Sequence, residues 1–188
     1  MSGSDADAIR EYRHIGAVLA RENSGLGDEE RLELARNLTR LAPAQADSWW
    51  SVATQLDWML RDIDGEQLRD HPLFPELVSA WDRAMALDRT DAATPYNKAR
   101  ALRRAGLLQE AYEALMLAGR TEMAHPSVDA AWPADWHFEG AAEVALECGN
   151  QELALSAAQA AIDAGASDGD ALALLERIRE EVGGRWPT

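Results

Sequence analysis

Residues 95–118 read PYNKARALRRAGLLQEAYEALMLA, and this stretch decides the fold. Tyr96, Ala99 and Leu102 recur at helical spacing up to Gly106, a residue suited to the positive φ at a helix stop. Leu108, Ala111, Leu115 and Ala118 then repeat the 3.6-residue period. The reading is two helices joined by a tight turn, with alanines small enough to let them approach closely.

The same pattern echoes along the chain. Thirty-four residues back from Ala111, Leu115 and Ala118 stand Leu77, Trp81 and Ala84, the last two in AWDRAMALDRTDAA. A further 46 back from Trp81, Ala84 and Leu87 lie Ala35, Leu38 and Leu41, in LARNLTRLAP. First helices echo too: Tyr96, Ala99 and Leu102 map onto Trp50, Ala53 and Leu56, and the last two of these onto Gly16 and Leu19. Forward by 43, Ala99, Gly106, Ala111 and Ala118 become Ala142, Gly149, Ala154 and Ala161. These offsets are 34 residues plus insertions, and a 34-residue helix–turn–helix period marks the tetratricopeptide repeat (TPR). The chain resembles that family over residues 5–165, best in the copy carrying Tyr96-Asn97, Ala99, Leu102, Gly106, Glu110-Ala111 and Ala118.

The expected fold is therefore all-α: a right-handed α-solenoid of helical hairpins forming one domain over 1–188. Hairpins are expected at 5–43, 46–89, 92–120 and 135–165, with a capping helix at 168–182 that covers the apolar end of the array. Ser167 and Asp170 start that helix, Leu172, Leu175, Ile178 and Val182 form its stripe, and Gly183–Gly184 ends it. Residues 62–73, with Gly65 and Pro72, interrupt the second hairpin, and a loop with Pro126 and Pro133 separates the third from the fourth.

Composition narrows the function. The chain of 188 residues is 47% hydrophobic, enough for a buried core, and carries a net charge of −15. That charge argues against nucleic acid or an anionic membrane surface as partner. No stretch reaches about 18 apolar residues, and the first residues, MSGSDADAIREYR, lack an apolar signal region. With one cysteine, Cys148, a reduced cytoplasmic setting is expected. Glu147 beside that thiol is expected to keep it inert. His14, His71, His125 and His137 make no strong metal spacing, and no nucleophile elbow, phosphate loop or dinucleotide glycine pattern occurs. Neither a cofactor nor an enzymatic activity is expected.

In the resembled family the first helix of each hairpin lines the concave face. That implies a partner-binding surface of Tyr96, Asn97, Arg100, Arg103 and Arg104 in the third copy, Trp50 and Thr54 in the second, and Arg13 and His14 in the first. Asn97 matches the asparagine that family members use to hold a peptide backbone. The fourth copy would add Trp136, Glu139, Glu143 and Glu147. The arginines suit an acidic segment or a C-terminal carboxylate. They equally suit a solvated face, or pairing with the glutamate row of the next first helix. The resemblance implies an adaptor that holds a peptide or partner protein. Two alternatives stay open: self-association through Trp132, Trp136 or Trp186, and a small-molecule sensor or enzyme with a pocket where residues 62–73 fold over Trp50 and Trp58.

Overall fold

A computed structural model describes residues 3–21, 25–127, 132–166, 173 and 175–178 of the chain. Among these the secondary structure is helical, with nine α-helices and no strand. They are α1 (Gly3–Leu19), α2 (Asp28–Leu41), α3 (Ala46–Met59), α4 (Gly65–Arg69), α5 (Phe74–Leu87), α6 (Ala93–Arg104), α7 (Leu108–Ala124), α8 (Ala134–Glu147) and α9 (Gln151–Asp163). The class is the expected one: an all-α fold of antiparallel helical hairpins, of the α-solenoid type. The chain's contacts divide into two compact units, Met1–Asp88 and Arg89–Thr188, where the sequence reading drew a single domain.

In the first unit α1 packs on α2, α2 on α3 and α3 on α5. The apolar positions at helical spacing, Leu32, Ala35 and Leu38 on α2, Val52, Ala53 and Leu56 on α3, and Leu77, Trp81 and Ala84 on α5, are all buried. Residues 62–73 break the second hairpin without unfolding it. Gly65 (φ +60°) opens the one-turn α4, which buries Leu68, and Pro75 enters the first turn of α5, where its missing N–H costs nothing. Arg31 ties three helices together. Its guanidinium donates to Leu19 O at 2.8 Å and Arg21 O at 3.2 Å, at the carbonyl end of α1, and to Gln55 Oε1 of α3 at 3.3 Å. Arg36 of α2 forks onto Glu76 of α5 at 2.6 and 2.8 Å.

The second unit runs α6 on α7, α7 on α8 and α8 on α9. The 43-residue echo is visible in three dimensions. Ala99 and Ala142, Ala111 and Ala154, and Ala118 and Ala161 are buried at matching places, so alanine occupies corresponding positions in the two hairpins. Gly106 (φ +74°) and Gly149 (φ +69°) end α6 and α8 the same way. Beyond Gly106, Leu107 N donates to Leu102 O at 2.9 Å; beyond Gly149, Asn150 N donates to Ala145 O at 2.9 Å. This is the left-handed stop that glycine adopts without strain. α7 continues to Ala124, past the expected end at 120, because no helix breaker occurs before Pro126. At its middle, Gly119 lies directly under the buried Phe138 ring of α8.

Of the expected capping helix, residues 175–178 are helical with Ile178 buried; Ser167, Asp170, Leu172, Val182, Gly183–Gly184 and Trp186 lie outside the described residues.

Candidate groove on the second unit

Three residues of the expected stripe on α6 share one helical face at i, i+4 and i+7: Tyr96, Arg100 and Arg103. Opposite them α8 presents Trp136, Glu139, Gly140 and Glu143 at the same spacing. Between the two rows runs a groove of about 200 Å³, floored by Ala99 and by Leu115 of α7. Asn97 and Arg104, expected on the same surface, fall on the adjoining row and do not line it. Asn97 is half-buried, and Arg104 is half-buried with its own partners.

The arginines are not equivalent. Arg103 forks onto Glu147, with Nε 3.2 Å from Oε2 and Nη2 closer still to Oε1, and stands 3.8 Å from Glu143. The hydrogen bond to Glu147 raises the Arg103 pKa further above its ordinary value, partial burial opposes this, and the charges of Glu147 and Glu143 add to the rise. Arg177 approaches Glu143 at 3.8 Å from the other side. The glutamate row thus finds cations, the pairing that sequence reading left open as one of three roles for the arginines. Arg100 differs. Among the described residues it forms no ion pair, and its guanidinium lies 6.0 Å from the Tyr96 ring centroid.

Aromatic rings build the wall at the other end. Tyr96 packs against Trp132 (5.2 Å between centroids), Trp136 (5.1 Å) and His137 (5.4 Å), and the two indoles stack at 5.8 Å. Despite these contacts Trp132 and Trp136 remain 44% and 39% exposed. Such half-exposed, mutually braced rings offer apolar surface at low entropic cost. His137 is the buried member of the group. Desolvation lowers its pKa, and the nearby charges of Glu122 and Asp135 only partly offset this. Sequence reading considered His137 only as a metal ligand. Its actual signal was its place one residue before the core position Phe138.

The remaining expected residues lie on the first unit. Trp50 meets Trp81 edge-on at 6.3 Å and, with Thr54, lines a cavity of about 210 Å³ against Gly16, Leu19 and Ala20 of the α1 end. Trp58 lies under the Arg61 guanidinium at 4.0 Å and borders a second cavity with Thr54 and Asp28. Neither cavity is lined by residues 62–73, so the pocket imagined beneath that insertion is instead walled from the α1–α2 side. Arg13 and His14 are exposed on α1 and line neither. Arg31 and Gln55, which line both, carried no sequence signal. Cys148 is exposed, and its thiol is pushed up by partial desolvation, then by Glu147 and Glu110. Among the described residues no group of three or more His, Cys, Asp or Glu is placed to hold a metal, and no helix is long and apolar enough to cross a membrane.

Stacked hairpins with a side-chain-lined groove between successive first helices define a helical-repeat protein of TPR-like architecture. The crystal structure of MamA protein, a TPR-like helical repeat, shares this fold with a TM-score of 0.64 at 14% sequence identity, over 93% of this chain and 84% of that one. At that identity the likeness concerns the fold alone. No family model matches the sequence, and no curated protein does.

Proposed function

We propose that the chain is a protein-interaction module whose second unit holds a short segment of a partner in the groove between α6 and α8. An apolar residue of that segment rests against Trp136 and Tyr96. A carboxylate, on a side chain or at a free C-terminus, meets Arg100. The observation that carries this reading is the half-exposed Trp132–Trp136 stack beside an arginine, Arg100, that forms no ion pair among the described residues. Aromatic anchors and arginine are the side chains that dominate binding energy at interfaces, and a guanidinium fork matches a carboxylate. Arg103 serves this site indirectly, by holding Glu143 and Glu147, whose charge would otherwise repel an acidic ligand. The helical-repeat fold, which presents such grooves on rigid helices, supports the same reading.

The test is an array of short peptides with free or amidated C-termini, probed with the full chain. Enrichment of peptides that pair an apolar residue with a carboxylate, lost on the order of tenfold in Arg100→Ala and in Trp136→Ala, is the expected result. Affinities unchanged in both variants would remove the groove from consideration.

A further inference from the structure

The second unit holds a larger cavity that the groove does not use, about 670 Å³ in volume. Its walls are residues 90–93 at the start of α6, Glu122 and the turn through Ser127 at the end of α7, and Trp132 with His137 at the start of α8. The volume falls within the ordinary range of small-molecule sites.

Its chemistry is unbalanced. Glu122 is only 6% exposed and occupies the last turn of α7, where the helix carbonyls already disfavour negative charge. A buried carboxylate needs compensation. Ser127 gives some, its N–H donating at 2.8 Å and its hydroxyl at 2.9 Å, but both bonds go to Oε1. Among the described residues no lysine or arginine pairs with Glu122 or lines the cavity. Beside it, His137 is 1% exposed, lines the same cavity and has no partner for its Nδ1 among the described residues. Burial favours its neutral ring, so it brings a hydrogen-bonding lone pair and no countercharge. A further carboxylate, Asp91, caps α6 through Ala93 N–H and the Thr94 hydroxyl and leaves the wall negative. The Trp132 ring closes one side.

We propose that this cavity is a binding site for a small organic cation with N–H donors, a primary ammonium or a guanidinium on a short carbon chain. The cation supplies the missing charge to Glu122, donates toward His137 and lies against the Trp132 ring, which attracts cations through its π face. A metal ion does not serve, because the acidic and imidazole groups among the described residues are not gathered closely enough to hold one. The same chemistry can arrive as a free amine or as the arginine or lysine side chain of a bound peptide.

Calorimetric titration of the full chain with putrescine, agmatine and an acetylated, amidated Gly-Arg-Gly peptide tests this, with 1,4-butanediol as the uncharged counterpart of putrescine. Saturable one-to-one binding of a cationic probe, none by butanediol, and a loss on the order of tenfold or more in Glu122→Gln is the expected result. Binding by the amines assigns the site to free cations, and binding by the peptide alone to a side chain. Should Glu122→Gln lose its helical circular dichroism, Trp132→Ala, which removes an exposed ring, reads the same loss. The proposal fails if no cationic probe saturates at millimolar concentration, if butanediol binds as well as putrescine, or if the folded variant retains wild-type affinity.

Discussion

Adding one methyl group at Gly119 should cost the second unit more stability than its size suggests. A Cβ built there meets three atoms of the Phe138 ring, Cε1 at 2.5 Å, Cζ at 2.7 Å and Cδ1 at 2.8 Å. Non-bonded carbons rest at about 3.5–4.0 Å, so the overlap is roughly 1 Å at each contact. The ring is buried between α7 and α8 and has nowhere to swing. Forcing an extra methyl into a packed core costs about 1–3 kcal/mol. Replacing a mid-helix glycine by alanine returns up to about 1 kcal/mol through helix propensity. Three simultaneous overlaps put the packing cost in the upper part of its range, about 2–3 kcal/mol, so Gly119→Ala should destabilise by about 1–2 kcal/mol net, lowering the midpoint of thermal unfolding by roughly 5–10 °C for about 100 residues. Far-UV circular dichroism melts of Gly119→Ala, and of Gly119→Ala combined with Phe138→Leu, measure this; the smaller side chain should recover part of the loss. Phe138 lies between Trp136 and Glu139 in sequence, so the same variant should also displace the α8 wall of the groove and weaken peptide binding. A Gly119→Ala protein as stable as wild type, or more stable, would refute the close α7–α8 contact on which this reasoning rests.

Arg31→Ala removes the hydrogen bonds to Leu19 O, Arg21 O and Gln55 Oε1, and the Gln55 amide, whose Nε2 has no partner among the described residues, loses its bond to the guanidinium. The expected cost is about 2 kcal/mol, seen first as faster amide exchange in α1, and a lysine, with one compact ammonium, should not restore it; unchanged exchange in α1 would dismiss Arg31 as a clamp. His137 sets a pH dependence. Its folded pKa lies below its ordinary 6.5 because burial disfavours the charged ring, so the unfolded chain takes up the proton first as pH falls. Its contribution is absent above about pH 7, and stability declines from about 6.5 down to the folded pKa at up to about 1.4 kcal/mol per pH unit. Denaturant unfolding between pH 7 and 5.5 should show this slope in wild type and a flatter one in His137→Phe, and parallel profiles would contradict it.

Much of the hairpin pattern was legible because its signals are local. The Gly106 and Gly149 stops, and the alanines repeating at 43 residues, needed only helical periodicity and turn chemistry. α7 runs past the expected boundary at 120 because nothing breaks the helix before Pro126. The groove was half legible. Spacing puts Tyr96, Arg100 and Arg103 on one stripe of α6, and the family resemblance implies Trp136, Glu139 and Glu143 on the neighbouring first helix. Spacing could not separate Arg100 from Arg103, because that depends on which α6 side chain reaches Glu143 and Glu147 on α8, 40 or more residues away in sequence. Arg31 and Glu122 were missed for a related reason. An arginine in a charged helix start and a glutamate in an ordinary helix reveal nothing until distant backbone or burial surrounds them.

The fork between Arg103 and Glu147 also governs how an acidic peptide would be found. With that pair closed, such a peptide meets in the groove an arginine, Arg100, that has no ion-pair partner among the described residues, on a chain of net charge −15. In dilute buffer, where the Debye length reaches about 30 Å, the net field repels the visitor from afar; within a few ångströms Arg100 draws it in. Added electrolyte therefore quickens encounter while loosening the final complex. The tightest capture belongs to intermediate ionic strength, and dilute buffer would conceal an interaction that cellular salt reveals.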